Sequence, residues 1–368
     1  MKKLIIAIAA LALIASPALA VDWNFYGSAR MQTAYISNDL GDAEDGAGHD
    51  DDQGTSWDWG GNSRFGAKVK AENISGLMEV GIRSTADGGD QTVNSRRLFG
   101  EWKFGAGSFK VGKDYTPVSQ FVSGQAFGSN PTGSLDDGLL GQGAMYGGRQ
   151  GQLALSFGGF TVALITPTGS NVVGGVTAPT SDVDEYIPKI EAKWGMSLDM
   201  FSFNIMGGYQ TFEIDGPDES VDSYVVGGDA AVTFGPVYIK GSISYAENGG
   251  NANWTAAPGT WNLADDDVDD TTTLQAALMA GFKFTDMINF EVGYGWRDDD
   301  YDGDSANSDT TPWEVYGQAV IALAPGVWVI PEIGYRDNDE YASPSGGAAA
   351  GDDAGSRMYV NAKWQIDF

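Results

Sequence analysis

The sequence predicts an all-β fold, a sixteen-stranded antiparallel transmembrane β-barrel. Three observations predict it. Apolar and polar residues alternate with period two along most of the chain. Connections alternate between short and long. Acidic residues are sorted away from basic ones.

The first twenty residues stand apart. Lys2 and Lys3 precede an apolar run from Leu4 to Ile14, and Ala18-Leu19-Ala20 is a small-residue cleavage signal. This reads as a secretory signal peptide over 1–20, too short in its apolar run to span a bilayer. Residues 21–368 are then one barrel domain.

The strand pattern opens at Asn24–Tyr35, where Phe25, Ala29, Met31 and Tyr35 share one face and Asn24, Ser28, Arg30 and Gln32 the other. It recurs over Leu274–Phe284, Ile288–Arg297 and Trp313–Leu323. It closes the chain, where Met358, Val360, Ala362, Trp364, Ile366 and Phe368 alternate with polar residues. Seven short turns, from Glu72–Gly76 to Leu323–Val327, separate eight long segments, from 37–58 to 337–355. Seven turns and eight hairpin loops join sixteen strands of about 9–11 residues, the length that crosses a membrane. Short turns then lie on the periplasmic side and long loops outside. The apolar face carries Phe near the turns (Phe234, Phe284, Phe290) and Tyr or Trp near the loops (Tyr35, Tyr209, Tyr294, Trp313), two girdles for two interfaces. Two places strain the pattern. Arg96 and Arg97 are adjacent, which puts Arg96 near the outer interface, and Pro331 inside a strand calls for a bulge.

Charge narrows the class further. The chain has 50 Asp+Glu, 21 Lys+Arg, one His and no Cys, a formal net charge of −29. The absence of Cys excludes disulfides and thiol chemistry. So acidic a balance excludes nucleic acid as partner, since phosphate binding needs a basic surface. The only His, His49, sits in an acidic loop without a catalytic partner, so no enzyme is expected. The long segments hold 37 of the acids and none of the Lys or Arg past residue 20. Strand bases such as Arg30, Arg64, Lys68 and Arg83 fall on the polar face. A charge facing lipid at mid-membrane costs about 2–4 kcal/mol, so that face turns inward onto water.

The chain resembles the general diffusion porins of the Gram-negative outer membrane. The resemblance rests on Asn62-Ser63-Arg64-Phe65-Gly66, Glu72-Asn73-Ile74-Ser75-Gly76-Leu77, Leu98-Phe99-Gly100-Glu101-Trp102, Val111-Gly112-Lys113-Asp114-Tyr115-Thr116-Pro117 and the terminal Phe368. Where that family usually has Gly-Arg, this chain has Gly112-Lys113. The resemblance implies a homotrimer in the bacterial outer membrane, among outer-membrane lipids, passing small hydrophilic solutes and ions. It implies an inward-folded third loop, here 115–145, whose acids face bases on the opposite wall. Carried over, Asp136 and Asp137 face Arg30, Arg64, Arg83 and Arg97, with Lys113 nearby; these seven form the expected constriction. Alternatives are a substrate-specific channel for sugars or oxyanions, and a plugged structural or adhesive surface barrel. No cofactor is required. Asp298, Asp300, Asp302, Asp304 and Asp309 follow the spacing of a calcium loop, with Gly303 at its sharp turn, or else form a solvated acidic loop. The lumen wall favours anions and the acidic loops favour cations; the narrowest point decides, which leans toward anions.

Overall fold

The computed structural model describes residues 22–39, 41, 52–59, 62–84, 91–127, 142–180, 182–215, 218–264, 266–302, 307–342 and 349–368. The segment read as a signal peptide, and His49, lie outside them. Sixteen strands form the barrel wall: β1 (Asp22–Asp39), β2 in two pieces (Asp52–Trp59 and Arg64–Lys70), β3 (Ile74–Ser84), β4 (Gln91–Phe104), β5 (Gly107–Tyr115), β6 (Arg149–Phe157), β7 (Phe160–Ile165), β8 (Lys189–Ser197), β9 (Phe201–Ile214), β10 (Glu219–Phe234), β11 (Val237–Glu247), β12 (Thr271–Lys283), β13 (Ile288–Tyr301), β14 (Trp313–Ala324), β15 (Val327–Asp337) and β16 (Ser356–Asp367). Each pairs antiparallel with the next, and β16 pairs back onto β1 from Ser28↔Asp367 to Asp39↔Ser356. The ring closes on the last residue. Phe368 accepts a hydrogen bond from the Gly27 amide (2.6 Å) and donates to the Gly27 carbonyl (3.0 Å). Closure leaves no unpaired sheet edge, which a bilayer does not tolerate.

Alternation sorts the two faces as the sequence predicts. On β16, Met358, Val360, Trp364 and Ile366 are exposed on the outside, while Tyr359, Asn361 and Lys363 are buried on the pore side. Outward rings cluster at the lower rim, where Trp23, Phe25 and Phe65 stack in series (6.2 and 6.4 Å). At the upper rim the Tyr209 and Tyr224 hydroxyls donate to the strand-end acids Asp222 (2.7 Å) and Glu247 (2.7 Å). Each ring keeps its body in lipid and its polar end in water.

The two strained places resolve differently from expectation. β4 bulges against β3: Glu79 pairs with Arg97 and Val80 with Ser95, which leaves Arg96 as the extra residue. The extra residue resets the alternation, so Arg96 turns to the pore side beside Arg97 rather than to the outer interface. It is 2% exposed and ion-paired to Glu79 (2.9 Å). Pro331 causes no bulge. It keeps its partner Ala362, and Gln318↔Glu332 and Ile321↔Val329 flank it without a shift; the irregularity on β14 lies at Ala322/Ala324, beside the turn.

The extracellular loops are not simply solvated. Two small hairpins, Val172–Val173 with Val176–Thr177 and Thr260–Asn262 with Asp267–Asp269, meet over the ends of β9 and β10. Val173, Phe212, Ile214, Val221 and Trp261 form a buried apolar cluster there. The segment after β11 turns into the barrel. Its Trp254 is buried with Val118, Met145, Met206 and Val225, and the indole N–H donates to Glu191 (2.7 Å).

Candidate pore constriction

The third loop leaves β5 at Thr116 and returns to β6 at Gly148. Its two described arms, 116–127 and 142–148, carry no charged residue. They begin as a hairpin: Thr116 donates to Gly148 (3.0 Å), Gly147 to Val118 (2.7 Å), and Gln120 to Met145 (2.9 Å). The hairpin bends into the lumen and lies along the wall from β8 round to β1.

Glutamates hold it there. The backbone N–H of Val118 donates to Glu191 (2.7 Å) on β8, Gly124 to Glu291 (2.7 Å) on β13, and Gln142 to Glu314 (3.2 Å) on β14. Glu332 on β15 accepts from both Ala126 (2.5 Å) and Phe127 (3.0 Å). All four carboxylates are buried. A buried carboxylate needs compensation, and loop amides supply it as charge-assisted bonds. Side chains complete the seam: Gln32 donates to the Ala126 carbonyl (2.8 Å), Gln120 to Gly228 (2.8 Å), Ser242 to Gly143 (3.0 Å), and Phe127 stacks on Tyr359 at 4.1 Å.

Three of the acids on the wall belong to a repeated triplet, Glu-x-Gly, on the pore face: Glu79-Val80-Gly81, Glu291-Val292-Gly293 and Glu332-Ile333-Gly334. The glycine leaves room for a long side chain from the adjacent strand, which lies across it and bonds the glutamate. Arg96 reaches Glu79 (2.9 Å), Tyr316 reaches Glu291 (2.7 Å), and Tyr359 reaches Glu332 (2.9 Å). A methyl at Gly293 or Gly334 would stand 2.2 or 2.3 Å from those tyrosine rings. The triplets are visible in the sequence, but composition and periodicity gave no reason to single them out.

Gly143 shows how closely the loop is pressed on the wall. Its φ is +88°, and a Cβ there would meet the Ala276 carbonyl oxygen at 2.1 Å. Gly143→Ala is expected to cost about 1–3 kcal/mol through backbone strain and displacement of the arm. The check is the temperature at which the folded band is lost on a gel run with graded heating; an unchanged temperature contradicts the seating of this arm.

Among the described residues, the wall from β1 to β5 carries a patch of cationic side chains. Arg30 is at mid-strand, its Nε donating to Ser28 (2.9 Å). Arg64 Nε lies 3.8 Å from Glu79. Arg97 and Lys110 both pair with Asp114 (2.6 Å each). With Arg96, this patch sets five cations against two carboxylates. On the covered wall, Lys189, Arg297, Arg336, Arg357 and Lys363 stand among Glu191, Glu291, Asp299, Glu314 and Glu332.

Of the residues expected at the constriction, Arg30, Arg64 and Arg97 lie on the wall of β1 to β4. Arg83 lies on β3, with its side chain outside the described residues, as are Asp136 and Asp137. Lys113 does not join the group. It pairs with Leu98 and Gly151 and shares the outer face of β5 with Val111, because Asp114 takes the inward position. The expected pairing of Asp136 and Asp137 with wall bases lies outside the described residues; among those described, wall acids are bonded to loop amides.

Of the five aspartates with calcium-loop spacing, Asp298, Asp300, Asp302 and Asp309 lie among the described residues. Asp298 and Asp300 lie in the extended end of β13, where a calcium loop would turn. Asp302 follows β13 with its amide bonded to the Asp270 carbonyl (2.9 Å), Asp309 accepts from the Tyr301 amide (3.0 Å), and Asp304 lies outside the described residues. Among the described residues no three carboxylates or histidines come close enough to hold a metal ion.

A family model described as Gram-negative porin matches residues 7–341. The chain belongs to the Gram-negative porin family. This porin is accordingly a channel of the bacterial outer membrane and not an enzyme. No curated protein sequence matches it. Solved structures match its fold over nearly the whole chain. The outer membrane channel DcaP of Acinetobacter baumannii superposes with a TM-score of 0.67 at 15% identity, covering 94% of this porin and 97% of that chain. The anion-selective porin from Comamonas acidovorans gives 0.60 at 14%, covering 95% and 100%. OmpF of Salmonella typhi, in complex with daunomycin, gives 0.54 at 13%, covering 94% and 97%.

Proposed function

We propose that this porin is an open, water-filled channel through which small hydrophilic solutes and ions diffuse passively, with a preference for anions set where the third loop narrows the lumen. One observation carries the preference. The covered wall spends its glutamates on loop amides, while on the wall from β1 to β5 five cations, Arg30, Arg64, Arg96, Arg97 and Lys110, gather around only two acids, Glu79 and Asp114. Charges at the narrowest point outweigh those of the distant loops, because screening falls off over about 8–10 Å at physiological salt. The Comamonas neighbour, described as anion-selective, is consistent with this reading, and the trimer form of Vibrio cholerae OmpT supports a homotrimer set in outer-membrane lipid.

Swelling of liposomes carrying the purified protein tests the open channel. Rates are expected to fall smoothly with the size of neutral sugars and to rise linearly with concentration. Saturation by one sugar would favour a substrate-specific channel, and no swelling would favour a plugged barrel. No cofactor enters this mechanism, so rates with calcium and with chelator are expected to agree.

A further inference from the structure

The loop arm that seals the covered wall has a second face. Gln120 and Val122 turn to the wall, where Gln120 bonds the Gly228 carbonyl and Val122 packs with Ala277, Met279 and Tyr316. Phe121, between them, points the other way and is 51% exposed. Tyr115 meets it edge-to-face at 5.0 Å, and Tyr146 at 6.0 Å. Two guanidiniums border the three rings. Arg97 and Arg149 lie 5.3 and 5.5 Å from the centre of the Tyr115 ring. Arg97 is held by Asp114, while Arg149 has no hydrogen-bond or ion-pair partner among the described residues.

Phe121 offers an apolar surface to a solute in the lumen, and covering it removes apolar area from water. Here the exposed face is flat, apolar and bordered by cations with planar charge. A planar apolar group carrying a carboxylate complements both features, by offset stacking on Phe121 and bidentate contact with a guanidinium. We propose that Tyr115, Phe121 and Tyr146, with Arg97 and Arg149, form a binding step for aromatic carboxylates within the pore. The site rests on the anion-preferring channel described above and names a solute class for it.

The test uses the full-length protein in planar bilayers, with potassium chloride carrying the current and benzoate, acetate or benzyl alcohol added to one side. Benzoate is expected to halve the current at about a tenfold lower concentration than either acetate or benzyl alcohol. Phe121→Ala is expected to bring benzoate to the acetate concentration, and Arg149→Gln to bring it toward benzyl alcohol. Equal block by benzoate and acetate in the unaltered protein, or a benzoate advantage that survives Phe121→Ala, overturns the site. Block by benzyl alcohol equal to that by benzoate overturns the role of the guanidiniums. The reversal potential in potassium chloride alone, read in the same bilayers, reports the underlying ion preference separately. A cation-side value overturns the channel reading, whatever benzoate does.

Discussion

Arg30→Ala combined with Arg64→Ala is expected to lower the chloride-to-potassium permeability ratio about three- to tenfold. Both side chains lie on the pore side of the wall, Arg30 on β1 and Arg64 on β2, and removing them takes the patch around Glu79 and Asp114 from five cations to three. A unit charge about 5 Å from a passing ion is worth roughly 0.8 kcal/mol in water, so two slightly exceed the 1.4 kcal/mol of a tenfold change before salt screening reduces it. Glu79 keeps its bond from Arg96 at 2.9 Å, so the double variant does not strand a buried carboxylate. Lys113→Ala is the matched control. Its side chain lies on the outer face of β5, and the ratio is expected to stay where it is. Reversal potentials across a salt gradient measure both; a double variant with the parent's value would move the seat of selectivity elsewhere.

Glu332→Ala is expected to have the larger effect on the architecture. It removes the acceptor for the Ala126 and Phe127 amides and for the Tyr359 hydroxyl at one stroke. Hydrogen bonds to a charged group are worth about 1.5–3 kcal/mol each, and buried donors left without partners add their own cost. A total near 3–5 kcal/mol follows the usual penalty for breaking a buried polar cluster. The tip of the loop should then leave the wall. Single-channel records are expected to show a noisy, higher conductance, and liposomes to admit larger sugars. Glu332→Gln keeps one acceptor oxygen and should fall between the two. A steady current with an unchanged size limit in Glu332→Ala would mean that the other contacts suffice to hold the loop.

The barrel was legible because a bilayer imposes simple rules on a chain. Alternation at Met358–Phe368, short turns such as Phe234–Val237 and the sorting of charge reflect the same two-faced wall, and the structure follows them strand by strand. Arg96 escaped because a bulge shifts parity by one residue without any turn residue to announce it. Lys113 escaped because a motif resemblance fixed its neighbourhood but not its face. The wall glutamates escaped for a different reason. Glu291 and Glu332 look in sequence like ordinary lumen charges, and their partners are loop amides 167 and 205 residues away, which carry no side-chain signature. The inward turn of Trp254 was hidden likewise, since its segment reads as one more acidic loop.

The most direct measurement is the current through single molecules of the purified protein in a planar bilayer, under a potassium chloride gradient. Stepwise conductance in groups of three, with a reversal potential on the chloride side, is the result expected of an open trimer whose free wall carries the excess of arginine and lysine. A reversal potential on the potassium side would contradict the selectivity assigned to that wall. Well-folded protein that passes no current would contradict the open lumen itself.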